Sequence, residues 1–165
     1  MKEMNCIIAL VFVTSTTGYS QYYNVAAGLR MGTEFGISVQ GRIADKTTIE
    51  AIINTSLSSN RQSGTFLLEQ HQSILTRRVN FYMGGGMHQS WTQDTLTHLP
   101  GGIAAIVGAE ISLGKFNISW DYKPSVTLWG KEAHIYNGET AVTLRYVFWK
   151  VPKKKINWKF WEKKS

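Results

Sequence analysis

Cysteine is nearly missing: Cys6 is the only one in 165 residues, at the head of an apolar run that ends at Val13. Lys2, that run and the polar stretch closing on Gly18 and Ser20 have the layout of a secretory signal, with cleavage expected before Gln21. A mature chain cut there holds no cysteine, which excludes a disulfide framework, a thiolate nucleophile and a zinc–thiolate site. A lipoprotein cysteine would follow the apolar run, so no lipid anchor is expected. Long hydrophobic runs are missing too. Nothing beyond the leader approaches the roughly twenty apolar residues of a helical membrane span, and no repeat of solenoid period is present. A distributed basic surface is also absent. Of the formal charge of +7, the stretch from Lys150 onward carries +6, with seven lysines against Glu162 alone. The remainder is nearly neutral, and with export this argues against a nucleic-acid partner.

What is present is alternation with period two. Val25, Ala27, Leu29 and Met31 alternate with Asn24, Ala26, Gly28 and Arg30, and Phe35, Ile37, Val39 and Ile43 with Glu34, Ser38, Gln40 and Arg42. TTIEAIINTSL sets Ile49, Ala51, Ile53, Thr55 and Leu57 against Glu50, Asn54 and Ser56. TFLLEQHQSIL opposes Phe66 and Leu68 to Glu69 and His71. VNFYMGGGMHQSW puts Val79, Phe81, Met83 and Met87 against Asn80, Tyr82, Gly84, Gly86, His88 and Ser90. In GIAAIVGAEISLGKFNISWDYKP, a two-residue turn at Gly114-Lys115 sets Leu113 opposite Phe116. Ile103, Val107, Ile111, Ile118, Trp120 and Tyr122 then share one face, and Glu110, Asp121 and Lys123 the other. With ETAVTLRYVF the total is about eight strands.

The connections are asymmetric. Those near Asp45-Lys46, Arg77-Arg78 and Gly114-Lys115 are tight, whereas those in SSNRQSG, QSWTQDTLTHLPG and SVTLWGKEAHIYNG are long and polar. Tight periplasmic turns and longer outer loops characterise outer-membrane barrels; the short first outer link at Gly32-Thr33 departs from the pattern.

The two faces then indicate which way the sheet curls. No Lys, Arg, Asp or Glu falls on the apolar parity, while the other holds Arg30, Arg42, Lys123 and Arg145 against Glu50, Glu69, Glu110 and Asp121. A narrow interior requires such balance, because an unpaired buried charge costs several kcal/mol. Gly28, Gly36, Gly84, Gly86 and Gly108 on that parity give room to long neighbours. Trp91, Trp129, Trp149 and Tyr146 lie where girdle aromatics belong. The expected fold is all-β: a closed antiparallel transmembrane β-barrel, apolar face to lipid and ion pairs inside. The alternative is a soluble secreted barrel or sandwich that carries a small apolar ligand. The expected organisation is a leader at 1–20, a barrel over 21–149 and a basic, aromatic periplasmic tail at 150–165. That tail either lies on a membrane or acidic partner or is a solvated extension.

GLRMGTEFGISVQGRIADKTTIEAII and GIAAIVGAEISLGKFNISWDYKPSVTLWG resemble the small outer-membrane β-barrel proteins of Bacteroidetes type, in the OmpX/OmpA-like barrel group. The resemblance runs from about Asn24 to Phe148. It implies an outer-membrane location, lipid contact and no cofactor. The last strand, with Gly138, Val142, Leu144, Tyr146 and Phe148, is similar to the terminal signal read by barrel-assembly machinery; here VPKKKINWKFWEKKS follows it, where the family usually ends. The expected role is a membrane-anchored scaffold for surface interaction or envelope integrity. Its loops or tail would meet any extracellular or periplasmic protein, and its interior is plugged rather than open.

His88 and Ser90 are the one nucleophile-like arrangement, sharing the interior parity in a His-x-Ser pair similar to that of outer-membrane lipid A deacylases. A hydrolase also needs a carboxylate to orient the imidazole. Asp94 lies in a loop and Glu110 far down the next strand, so two polar rim residues is the simpler reading. His71, His98 and His134 are scattered over different segments, and their spacing implies no metal site. PGG at 100–102 lacks the helix and Lys-Ser pair of a phosphate loop.

Overall fold

The computed structural model describes residues 23–56, 61–76, 78–92, 99–130 and 136–150. The expected leader, most of the expected tail, Asp94, His98 and His134 lie outside them. Eight strands run in order: β1 (Tyr23–Gly32), β2 (Phe35–Ala44), β3 (Thr47–Thr55), β4 (Arg61–Thr76), β5 (Val79–Thr92), β6 (Gly101–Leu113), β7 (Phe116–Trp129) and β8 (Tyr136–Lys150). Each pairs antiparallel with its sequence neighbours, and β8 pairs with β1 to close a barrel. Closure removes every sheet edge, so all strand backbone groups are satisfied inside the wall; this allows a sheet to cross hydrocarbon. The shortest strand, β3, has 9 residues, within the ~9–11 that a tilted strand needs to span a bilayer.

The turns at one end are tight for local reasons. Gly114 has φ 65° and occupies the first central position between Leu113 and Phe116, which pair directly; this is where a II′ hairpin calls for glycine. At Asp45-Lys46 neither residue takes a positive φ. The register there slips between Arg42 and Ala44, a bulge that adds the twist this turn lacks.

The faces separate as the alternation predicts. Val107, Ile118 and Leu144 point outward with 49%, 42% and 46% exposure, while Glu110 and Arg145 point inward and are buried. Among the described strand residues, none that faces outward is Asp, Glu, Lys or Arg. In water such a belt of exposed Leu, Ile, Val, Met and Phe would aggregate; against acyl chains it is the expected lipid-facing surface. The protein is therefore a transmembrane β-barrel, and the soluble-carrier alternative loses its basis. Trp129 and Tyr136 are exposed towards the long-loop end, Tyr146 and Trp149 towards the tight-turn end, as interfacial girdles require.

Inside, the wall is not uniformly polar. Ile52, Leu67, Tyr82, Ala104 and Ile106 form a buried apolar cluster on the β3–β6 side, and Tyr23, Ala26 and Val147 a second where β1 meets β8. Gly108 makes the first possible: a Cβ there would lie 2.6 Å from Tyr82 Cζ and 2.7 Å from Asp121 Cβ.

Candidate functional site

The inward positions of several strands converge on a network of charges that crosses the lumen. Arg30 on β1 faces Asp121 on β7 with two contacts, Nη1–Oδ2 at 2.9 Å and Nη2–Oδ1 at 2.5 Å. This is the bidentate fork that a guanidinium makes best. Tyr82 on β5 donates its hydroxyl to the same carboxylate at 3.0 Å. Arg145 on β8 reaches Glu50 on β3, and also donates to Ser38 and Ser119, each at 2.8 Å. Lys123 on β7 pairs with Glu139 on β8 at 2.9 Å and donates to Thr65 on β4 at 3.1 Å, while Asn54 donates to Glu139 at 2.9 Å. Arg30–Asp121, Arg145–Glu50, Lys123–Thr65 and Asn54–Glu139 join strands that are not neighbours in the wall, so they cross the lumen, whereas Lys123 and Glu139 face each other on the adjacent strands β7 and β8.

Glu110 on β6 is fully satisfied. Its Oε1 accepts from Asn80 (2.8 Å) and faces His71 Nδ1 (3.2 Å), and its Oε2 accepts from Tyr23 (2.8 Å) and Asn117 (2.9 Å). His71 turns its other nitrogen towards Glu69 Oε2 at 3.3 Å and stacks on Tyr82 at a centroid distance of 5.2 Å. Glu69 Oε2 also takes hydrogen bonds from Gln40 and Thr48.

Of the residues expected in an interior network, Arg30, Glu50, Glu69, Glu110, Asp121, Lys123 and Arg145 are brought together. Arg42 is a correction. Its guanidinium folds back on its own turn, Nε to the Ala44 carbonyl at 3.0 Å and Nη2 to Asp45 at 2.6 Å, because the bulge lies between it and Ala44. His71, which the alternation places on the interior parity with Glu69, sits between the Glu69 and Glu110 carboxyls.

Two members escape sequence reasoning altogether. Tyr23 would share the outward parity of Val25, but the register shifts between Tyr23, Val25 and Ala26 turn it into the lumen. Glu139 lies at the edge of the last alternating run, where a strand start is hardest to place.

His88 and Ser90 both point into the barrel near the long-loop end, opposite Thr65 and Ser63 on β4. Glu110 is committed to Tyr23, His71, Asn80 and Asn117 towards the other end, so it does not orient His88. Gly138 lets Tyr122 lie close: a Cβ there would sit 2.7 Å from the Tyr122 hydroxyl, which meets the Tyr136 hydroxyl at 2.5 Å. Val142, Leu144, Tyr146 and Phe148 form the outward row of β8. No group of three or more His, Cys, Asp or Glu suited to a metal forms among the described residues.

No protein-family model matches the sequence, and no curated protein matches it. Among solved structures the chain is similar to the crystal structure of Neisserial surface protein A (NspA). The TM-score is 0.55 at 14% identity, covering 75% of this chain and 94% of that chain. At that identity the likeness is one of fold: a closed antiparallel barrel of eight strands.

Proposed function

We propose that the protein resides in an outer membrane as a non-catalytic, membrane-anchored scaffold for surface interaction or envelope integrity, with a lumen that is plugged rather than conducting. The observation that carries this reading is the crossing of the lumen by two buried ion pairs, Arg30–Asp121 and Arg145–Glu50, with the Lys123–Glu139 pair bonded across it to Thr65 and Asn54. An ion in transit would have to displace them, and separating a buried pair costs several kcal/mol. The tight turns at one end and longer connections at the other support an orientation with the turns in the periplasm. The loops between β3 and β4, β5 and β6, and β7 and β8 would then offer the contact surface for an extracellular partner. The outward row of β8, with Gly138, Val142, Leu144, Tyr146 and Phe148, would be read by barrel-assembly machinery, and the belt above it would hold outer-membrane lipid.

Three measurements test this. Planar-bilayer recording of the purified barrel should give no steady conductance; a stable open channel would overturn the plug. Fractionated cells should yield a heat-modifiable band in the outer membrane, and recovery from periplasm without detergent would overturn the location. Lipid A incubated with the protein should keep its acyl chains, whereas deacylation that depends on His88 and Ser90 would establish an enzyme.

A further inference from the structure

Glu50 and Glu69 are diagonal neighbours on the inner face, Glu50 pairing across to Leu67 and Glu69 to Thr48. Both are completely buried, and their diagonal register on one face brings the two side chains alongside each other. One oxygen of each is in use: Glu50 Oε1 serves Ser38 and Arg145, and Glu69 Oε2 faces Gln40, Thr48 and His71. The other two, Glu50 Oε2 and Glu69 Oε1, have no hydrogen-bond partner. Two ionised carboxylates would leave both of these oxygens buried without a donor and set two negative side chains beside each other. Either condition alone is costly. A proton between them removes both.

We propose that the lumen contains a proton-binding site in which Glu50 Oε2 and Glu69 Oε1 share one proton at neutral pH.

The charge balance around the pair requires the same proton. Arg30 with Asp121 and Lys123 with Glu139 are closed pairs. What remains is Arg145 from β8 and His71 from β4, facing Glu50, Glu69 and Glu110. Each nitrogen of His71 lies against a carboxylate oxygen, the setting of an imidazolium with both nitrogens donating. Two positive charges then meet three carboxyl groups, and one shared proton makes the sealed interior neutral. The other elements packed here add no further free charge: Tyr23 from β1, Ser38 and Gln40 from β2, Thr48 from β3 and Tyr82 from β5 are neutral donors or acceptors. A metal ion is a poor alternative occupant. Hard cations take about six oxygens, whereas the gap offers two free oxygens, the rest being committed to donors.

The site has a thermodynamic consequence. In the unfolded chain both carboxyls are ionised and the imidazole is mostly neutral at neutral pH, so folding takes up one proton at the pair and most of another at His71. Stability then falls as pH rises, by up to about tenfold in the folding equilibrium per pH unit for each proton taken up.

The decisive experiment is infrared spectroscopy of the full-length protein in lipid vesicles. Wild type at neutral pH should show the C=O stretch of a protonated carboxylic acid, and this band should disappear on strong alkalinisation. Both Glu50→Gln and Glu69→Gln should lack it; Glu139→Gln, which alters a lumenal carboxyl outside the pair, should keep it. Absence of the band in wild type overturns the proposal, and that measurement does not depend on any variant folding. Persistence of the band in both glutamine variants that retain heat-modifiable migration overturns it equally. A wild-type stability that follows sodium or calcium concentration but not pH would assign the gap to a metal ion instead.

Discussion

The lumen has two kinds of lining, and they answer different demands. On the β3–β6 side, Ile52, Leu67, Ala104 and Ile106 pack with Tyr82 in the manner of a soluble core. Facing them on β1, β7 and β8 are Arg30, Asp121 and Arg145, the last reaching across the barrel to Glu50 on β3. Apolar filling excludes water but tolerates slippage, because dispersion contacts have little direction. Charged filling is directional: Arg145 has one geometry that serves Glu50, Ser38 and Ser119 at once. The apolar side also keeps water from the charged side, where attraction between opposite charges strengthens as the local dielectric falls. Tyr82 joins the two, its ring in the apolar cluster and its hydroxyl on Asp121.

Four substitutions sharpen this contrast, in descending order of effect. Arg145→Ala strands Glu50 in the interior and should cost about 3–5 kcal/mol, read as a lower temperature for conversion of the folded gel band, with membrane insertion retained. Leu67→Ala opens a hole in the apolar lining and should cost about 2–5 kcal/mol by the same measurement; an effect as large as that of Arg145→Ala would mean that both linings contribute alike. Val107→Arg, on the lipid face of β6, should cost about 2–4 kcal/mol if it lies near the bilayer midplane. It differs in kind, since folding yield into vesicles falls instead of the melting temperature alone. Arg42→Ala removes an ion pair with a largely exposed Asp45 and a hydrogen bond to the Ala44 carbonyl within the same turn and should change stability by less than about 1 kcal/mol. A loss comparable to that of Arg145→Ala would return Arg42 to the lumenal network.

Which way each side chain points was legible from the sequence wherever a strand is regular. Val107, Ile118, Glu110 and Arg145 follow parity because a pleat leaves no other choice. The tight turns were legible for a similar reason: Gly114 and Asp45 are turn-forming residues between alternating runs. Partner choice was not legible. That Arg145 meets Glu50, or that His71 lies between Glu69 and Glu110, depends on strand stagger and on which strands oppose each other across the barrel. Parity contains neither quantity. Irregular backbone was the other blind spot. A bulge inverts parity with no strong residue preference of its own, so Tyr23 entered the lumen unannounced and Arg42 turned away from it. The inner face also hid its division, since Ile52 and Leu67 occupy the same parity as Glu50 and Glu69 and alternation cannot say which inward residues form the dry side.

An even strand count has a consequence for anything attached to the barrel. Tyr23 pairs with Lys150, so the polypeptide enters and leaves the wall at one rim. The two strand ends therefore open on a single side of the membrane. A label confined to that side would reach Tyr23 and Lys150 together, while one confined to the opposite side would meet the connections that join β1 to β2, β3 to β4, β5 to β6 and β7 to β8.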